Sequence, residues 1–191
     1  GGRSNCAVLD DATVGGGLGN TASGYRSTIA GGRGNQATNT HSTVSGGYIN
    51  IASGVNATVA GGCANYATGT ASTVGGGDKN LASGNCATVV GGNFNTGSGH
   101  FTFVGGGYNN KATAIYGSVV GGNGNKACGA SYSFVGGGEN NSASGNYFAT
   151  VGGGSGNVAS GTVSATVSGG TSNLASGAHA TVVGGNFNTG S

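Results

Sequence analysis

Hydrophobic and polar positions follow a pattern that returns every 15 or 16 residues along the chain. Each copy begins with Thr-Val or a close variant, continues through a small residue into Gly-Gly, and reaches an Asn. The consensus is T-V-x-G-G-x-x-N-x-A-S-G-x-x-A, and its twelve copies begin at residues 13, 28, 43, 58, 73, 88, 103, 118, 134, 150, 166 and 181. Because so short a unit cannot bury a core alone, the repeat predicts a stack of coils.

The periodicity predicts two short strands and two turns in each copy. The A-T-V-x-G stretch alternates with the two-residue period of a strand, and x-A-S forms a second strand. The Gly-Gly-x-x-Asn segment supplies one turn, and the Gly after the second strand opens the other. A Gly pair in every copy disfavours a helix. We expect an all-β fold, a thin parallel β-solenoid of about twelve coils of 15–16 residues. Its core is lined by the Val, the first Gly of the pair and the Ala positions.

The repeat also predicts the domain organisation. We expect residues 1–191 to form a single continuous β-solenoid, with a partial coil at 1–12 and twelve coils at 13–191. Residues 87–98 and 180–191 are both ATVVGGNFNTGS, which indicates duplication of whole blocks of coils. Together with copies that start and stop in mid-repeat, this favours a segment of a longer array. Uncapped coil ends would invite assembly through stacked coils.

One column of the repeat is Asn in all twelve copies, although its neighbours vary freely. This contrast predicts side chains that point inward and form a structural ladder, with amides bonded to the coils on either side. The Asn column comprises Asn20, Asn35, Asn50, Asn65, Asn80, Asn95, Asn110, Asn125, Asn141, Asn157, Asn173 and Asn188.

The first position of the repeat predicts an outward-facing flat surface. It is Thr in nine copies, and Phe103, Ser118 and Phe134 replace it in the other three. Small outward residues in register indicate close contact with something flat. The Thr column, a candidate interaction face, comprises Thr13, Thr28, Thr43, Thr58, Thr73, Thr88, Thr150, Thr166 and Thr181.

Composition excludes several classes of function. Of the 191 residues, 47 are Gly, and Pro, Met and Trp are absent. Six Lys and Arg against four Asp and Glu give a net charge of +2, with no basic stripe. We therefore expect no binding of nucleic acid. No apolar run reaches the ~18 residues of a membrane helix, so we expect no membrane insertion.

The residues that carry catalysis or bind metals are scattered. His41, His100 and His179 lie in different copies, and the four acidic residues are dispersed. The Gly-Gly-x-Gly-Asn strings lack the carboxylates that Ca²⁺ requires. We expect no enzyme activity, no metal and no cofactor. The four cysteines occupy different columns, which predicts free thiols.

The repeat T-V-x-G-G-x-x-N-x-A-S-G resembles the S-V-A-I-G-x-x-A-x-A-x-G head repeats of trimeric autotransporter adhesins, the YadA-like or Hep_Hag class, over essentially the whole chain. The shared features are the Ser/Thr-Val start, the Gly after the first strand and the Ala-x-Gly of the second. The resemblance implies a left-handed β-roll, trimerisation and a surface-exposed adhesive role. Here the repeat unit is longer, Gly replaces the inward Ile, and Asn replaces an Ala.

These observations leave two functional interpretations. The first is a non-catalytic structural or adhesive rod of an extracellular fibre or cell-surface adhesin, which self-associates as a filament or homotrimer and binds a surface or receptor that the sequence does not identify. The second is an ice-binding solenoid, in which the Thr column at a ~4.8 Å spacing forms a flat ice-binding face. Phe103 and Phe134 interrupt that column.

Overall fold

The computed structural model describes all 191 residues and consists of parallel two-residue strands, so the predicted all-β solenoid of about twelve coils is confirmed. None of the elements is a helix, and a membrane-spanning helix is accordingly absent. The chain forms two compact units, Gly1–Phe94 and Asn95–Ser191.

The first unit contains twelve strands. They are β1 Cys6–Ala7, β2 Thr13–Val14, β3 Thr21–Ala22, β4 Thr28–Ile29, β5 Gln36–Ala37, β6 Thr43–Val44, β7 Ile51–Ala52, β8 Thr58–Val59, β9 Tyr66–Ala67, β10 Thr73–Val74, β11 Leu81–Ala82 and β12 Thr88–Val89. Odd-numbered strands pair only with odd-numbered strands, and even with even, always parallel and in register. Each coil therefore contributes one strand to each of two sheets.

The second unit repeats this arrangement with thirteen strands. They are β13 Thr96–Gly97, β14 Phe103–Val104, β15 Lys111–Ala112, β16 Ser118–Val119, β17 Lys126–Ala127, β18 Phe134–Val135, β19 Ser142–Ala143, β20 Thr150–Val151, β21 Val158–Ala159, β22 Thr166–Val167, β23 Leu174–Ala175, β24 Thr181–Val182 and β25 Thr189–Gly190. The registers align Val with Val and Ala with Ala or Gly through neighbouring coils.

The core of each unit is narrow and is built from small side chains. Val44, Val59 and Val74 of the even strands are fully buried, as are Ala52 and Ala67 of the odd strands. The Asn column lies in the same interior. These residues form strands because the β-branched Val fits a pleated surface that is half buried, and the alternating outward positions take Thr, Lys, Gln or Tyr at no packing cost.

The prediction that the first Gly of each pair lines the core is wrong. Gly61, for example, is partly exposed, and a Cβ added there would meet no atom within 4 Å. The crowded position is the second Gly. Gly62 has a φ of +88°, and its Cβ would collide with the carbonyl oxygen of Gly77 in the next coil. The left-handed conformation turns this position toward the neighbouring coil, where only Gly fits.

Candidate functional site

The Asn column forms a continuous set of hydrogen bonds within each unit. The backbone N–H of Asn65 donates to Oδ1 of Asn50 at 2.9 Å. Its side-chain Nδ2 donates to the carbonyl oxygens of Gly61 in the same coil and Gly77 in the next, each at 2.9 Å. Its own Oδ1 accepts the N–H of Asn80 at 3.0 Å. Three of the four bonds join neighbouring coils, so the side chain acts as an internal clamp.

This geometry recurs along both units. Asn125, for instance, donates through Nδ2 to Gly121 and Gly138, each at 2.8 Å. Eleven residues of the column, from Asn20 to Asn173, are at most 1% exposed. Asn188, in the last coil, is exposed. The side-chain amides donate to backbone carbonyls along the column. Because a buried amide left unbonded would be costly, this bonding accounts for Asn in every copy.

The Thr column lies on the outer side of the even strands. In the first unit Thr13, Thr28, Thr43, Thr58, Thr73 and Thr88 follow one another in register without interruption. In the second unit Phe103 is paired with Ser118, and Ser118 with Phe134, before Thr150, Thr166 and Thr181 resume the column. Phe103 and Phe134 are 40% and 39% exposed, so their rings project from the face.

A second exposed column lies at the turn that leads from each odd strand to the next even strand. Its residue has a φ between +51° and +61° in every coil, although none is Gly. We call it the outer turn column. It comprises Asp11, Arg26, His41, Asn56, Ala71, Cys86, Phe101, Tyr116, Tyr132, Phe148, Ser164 and His179. The backbone therefore holds each of these side chains in one direction, toward solvent.

Four consecutive members of this column in the second unit are aromatic, and their rings stack. The ring centroids are 5.0 Å apart for Phe101 and Tyr116, 4.9 Å for Tyr116 and Tyr132, and 5.1 Å for Tyr132 and Phe148. The planes deviate from parallel by only 7–12°. The rings remain 45–53% exposed. We call these four residues the aromatic edge.

The aromatic edge was not predicted from the sequence, because the residues at this repeat position differ widely among the twelve copies. The signal was present: four aromatic residues occur at one repeat position in four successive copies. What the pattern did not reveal is the left-handed backbone that aligns the rings.

The first unit carries polar or small residues at the equivalent positions. Arg26 forms an ion pair with Asp11 at 3.3 Å, with both side chains more than half exposed, and such a pair contributes little stability. The Arg26 guanidinium also lies 4.8 Å from the ring centre of Tyr25. Tyr25 and His41 are 6.3 Å apart and tilted. No extended stack of rings is formed here.

The His, Cys, Asp and Glu residues remain scattered in the structure. No three His, Cys, Asp or Glu side chains are close enough to share a metal ion. All four cysteines are free, and only Cys63 is partly buried. Partial burial and the neighbouring carboxylate of Asp78, which accepts a hydrogen bond from the thiol, raise the pKa of Cys63, and the Lys79 ammonium opposes this shift.

Comparison with known families identifies two segments of the chain. Residues 42–54 and 72–84 match the ubiquitous surface protein adhesin repeat, which is related to the repeats of trimeric autotransporter adhesins. Each segment runs from the even strand through the Gly pair and the buried Asn to the odd strand. A search among curated proteins finds no significant match. The repeat and the solenoid together support an adhesive structural role and point to a non-enzymatic protein.

Proposed function

We propose that the chain is a non-catalytic structural and adhesive module of an extracellular fibre or a cell-surface adhesin. The observation that carries this proposal is the adhesin-repeat match on a scaffold whose buried Asn side chains are hydrogen-bonded within the chain. The Asn column, in this proposal, is the structural element that joins the coils. Because this inner structure does not depend on the side chains of the outer turn column, residues in that column are free to diversify for binding.

The aromatic edge is the surface that we propose makes the adhesive contact. Its rings present apolar area to solvent while the backbone and the stacking hold them in place. A preorganised side chain loses little conformational freedom on binding, and aromatic residues dominate the binding energy of many interfaces. The outer turn column of the first unit, with its polar and small residues, offers no comparable apolar area.

Self-association is the second part of the proposal, as a filament or a homotrimer. The Thr column of the first unit supports it, because six small side chains in register form a face without bulky projections. A second copy of the chain could approach such a face closely. We do not propose the ice-binding function: the family match is to an adhesin repeat, and the rings of Phe103 and Phe134 interrupt the Thr column in the second unit.

A bead-adhesion assay tests the adhesive role. Beads coated with the purified chain are expected to bind cultured cells or extracellular matrix above the level of albumin-coated beads. Replacing Tyr116 and Tyr132 together by Asn should reduce binding more than tenfold, since loss of an aromatic anchor costs ~2 kcal/mol and 1.4 kcal/mol is a factor of ten. Tyr147→Asn, which removes an equally exposed ring outside the aromatic edge and the Thr column, is the matched control and should bind as the parent does.

The outcomes of this assay separate the parts of the proposal. Binding no better than albumin would contradict the adhesive role, and full binding by the double Asn variant would show that another surface makes the contact. The oligomeric state, measured by sedimentation over a range of concentrations, tests self-association separately. A monomer at all concentrations would refute it.

A further inference from the structure

Two tyrosines of the aromatic edge form an unusual pair. Tyr116 and Tyr132 lie ring over ring, with centroids 4.9 Å apart and planes within 7° of parallel. They are 45% and 47% exposed. Their backbone N–H groups donate to the carbonyl oxygens of His100 at 2.9 Å and Ile115 at 2.8 Å in the preceding coils. Both phenols thus lie side by side at the surface and are accessible to reagents in solution.

We propose that Tyr116 and Tyr132 form an oxidative cross-linking site, at which a peroxidase with hydrogen peroxide couples the two rings to dityrosine. Each phenol loses one electron and one proton to the oxidant and becomes a phenoxyl radical. The two radicals join through a carbon–carbon bond between positions ortho to the hydroxyls, and the two displaced ring hydrogens return to the oxygens. In total, the pair loses two hydrogen atoms, and one hydrogen peroxide is reduced to two waters.

The surroundings of the pair favour coupling within the chain. Phe101 stacks on the outer side of Tyr116 and Phe148 on the outer side of Tyr132. The two phenylalanines cover the outer faces of the tyrosine rings, and neither has a phenol to oxidise. The only phenol stacked against each tyrosine is therefore that of the other tyrosine. The coupling requires the rings to tilt toward each other, and their half-exposed position at a turn leaves room for this movement.

Competing sites are few in this sequence. The chain contains no Trp and no Met, which are common targets of oxidants. Tyr25 and Tyr48 lie against the guanidinium groups of Arg26 and Arg33. Tyr147 is 49% exposed, but its partners in the neighbouring coils are Ser131 and Val163. Tyr66 and Tyr108 are also exposed, but Tyr66 pairs with Ile51 and Leu81 in the neighbouring coils, and Tyr108 pairs with Asn123. The cysteines compete as well, and they can be blocked by alkylation.

The product would be a covalent link between two neighbouring coils. Tyr116 and Tyr132 are separated by 16 positions in the sequence, so the link would close a single coil into a ring. Apart from the continuous backbone, adjacent coils are joined only by hydrogen bonds and packing. A cross-link at the exposed edge would oppose separation of these coils, which suits a module that bears mechanical load. This inference does not depend on the adhesive role.

The experiment treats the full chain, with its thiols alkylated beforehand, with peroxidase and hydrogen peroxide. We expect the blue fluorescence of dityrosine, a monomer whose mass falls by two hydrogen atoms, and a cross-linked peptide containing Tyr116 and Tyr132. Tyr132→Phe retains a ring for stacking and removes the phenol, so it should reduce the intrachain product at least tenfold. Tyr116→Phe should do the same.

Tyr147→Phe is the matched control, because it removes an equally exposed phenol from the adjacent column and should leave the yield unchanged. Three results would overturn the proposal: an intrachain product that persists in Tyr132→Phe, a cross-linked peptide that maps to other tyrosines, or dityrosine found only between chains. Circular dichroism of each variant establishes that the comparison is made between folded proteins.

Discussion

The two units share one architecture but differ in the length of their coils. In the first unit the copies recur every 15 residues, and the turn after each odd strand is closed by a bond such as Ala57 N–H to the Gly54 carbonyl at 3.2 Å. In the second unit three coils contain an extra residue in this turn. There Ser131, Tyr147 and Val163 pair with one another as additional parallel bridges. The extra residue extends the stack of backbone pairs, and the strands keep their register.

The units also differ in what they place on the outer turn column. The backbone is left-handed at this position in both, which costs a non-Gly residue about 1–2 kcal/mol. The first unit places there the small or polar residues Ala71 and Asn56, among others. The second unit places stacked rings there, and each aromatic pair returns about 0.5–1.5 kcal/mol. The same backbone position can therefore carry a polar surface in one unit and an aromatic surface in the other, because the interior of the coils is the same in both.

The largest expected effect is on the free energy of unfolding, when a crowded glycine of the interior is replaced by Ala in either unit. Gly62→Ala should destabilise the first unit by about 4 kcal/mol or more, because a Cβ would collide with the backbone of Gly77 and lie 2.6 Å from Nδ2 of Asn65. Gly61→Ala, one residue earlier, should change stability by less than about 1 kcal/mol because that site is open. Guanidinium unfolding followed by circular dichroism measures both.

The second unit offers the same matched pair. Gly154 has a φ of +89° and is crowded by Gly170, whereas the Cβ of an Ala at 153 would meet nothing within 4 Å. Gly154→Ala should therefore be as damaging as Gly62→Ala, and Gly153→Ala as mild as Gly61→Ala. If Gly62→Ala and Gly154→Ala lowered the free energy of unfolding by clearly different amounts, the interior would not contribute equally to the stability of the two units.

A smaller effect is expected at the surface, where the units differ. Tyr132→Asn removes two stacking contacts and should destabilise the second unit by about 1–2 kcal/mol, although Asn tolerates the left-handed backbone well. Ala71→Asn likewise places Asn, which tolerates the left-handed backbone, in the outer turn column of the first unit, and no ring stacking is lost there. It should stabilise that unit by a few tenths of a kcal/mol. The unfolding midpoints of the two variants should therefore move in opposite directions, and a shift in the same direction would contradict this account of the column.

The sequence was informative wherever copies could be compared with one another. The Thr-Val and x-Ala strands and their parallel stacking were predictable, because a residue that recurs in every copy occupies one environment. The two glycines of each pair were not distinguishable, since both columns are invariant. Only the backbone conformation shows that Gly62 is crowded and Gly61 is open.

The aromatic edge was less predictable for a physical reason. A side chain that points to solvent from a left-handed turn meets no packing constraint from the core, so the column as a whole looks random. The constraint acts between neighbouring coils, where Tyr116 and Tyr132 contact each other. The run of aromatic residues in four successive copies was readable in the sequence, but the ring-on-ring contact that explains it depends on the left-handed backbone at these positions.

The smallest effect concerns two thiols, one in each unit. The pKa of Cys63 is raised by partial burial and by the carboxylate of Asp78, so a smaller fraction is thiolate at any pH below that pKa. Since the thiolate is the nucleophile, Cys63 should react more slowly with iodoacetamide than the exposed Cys128, as measured by mass spectrometry of the labelled peptides. Asp78→Asn removes the negative charge and should accelerate labelling of Cys63 several-fold, while the rate at Cys128 stays the same. Equal acceleration at both thiols would indicate a general loosening of the fold, and no acceleration at either would show that burial alone slows the reaction of Cys63.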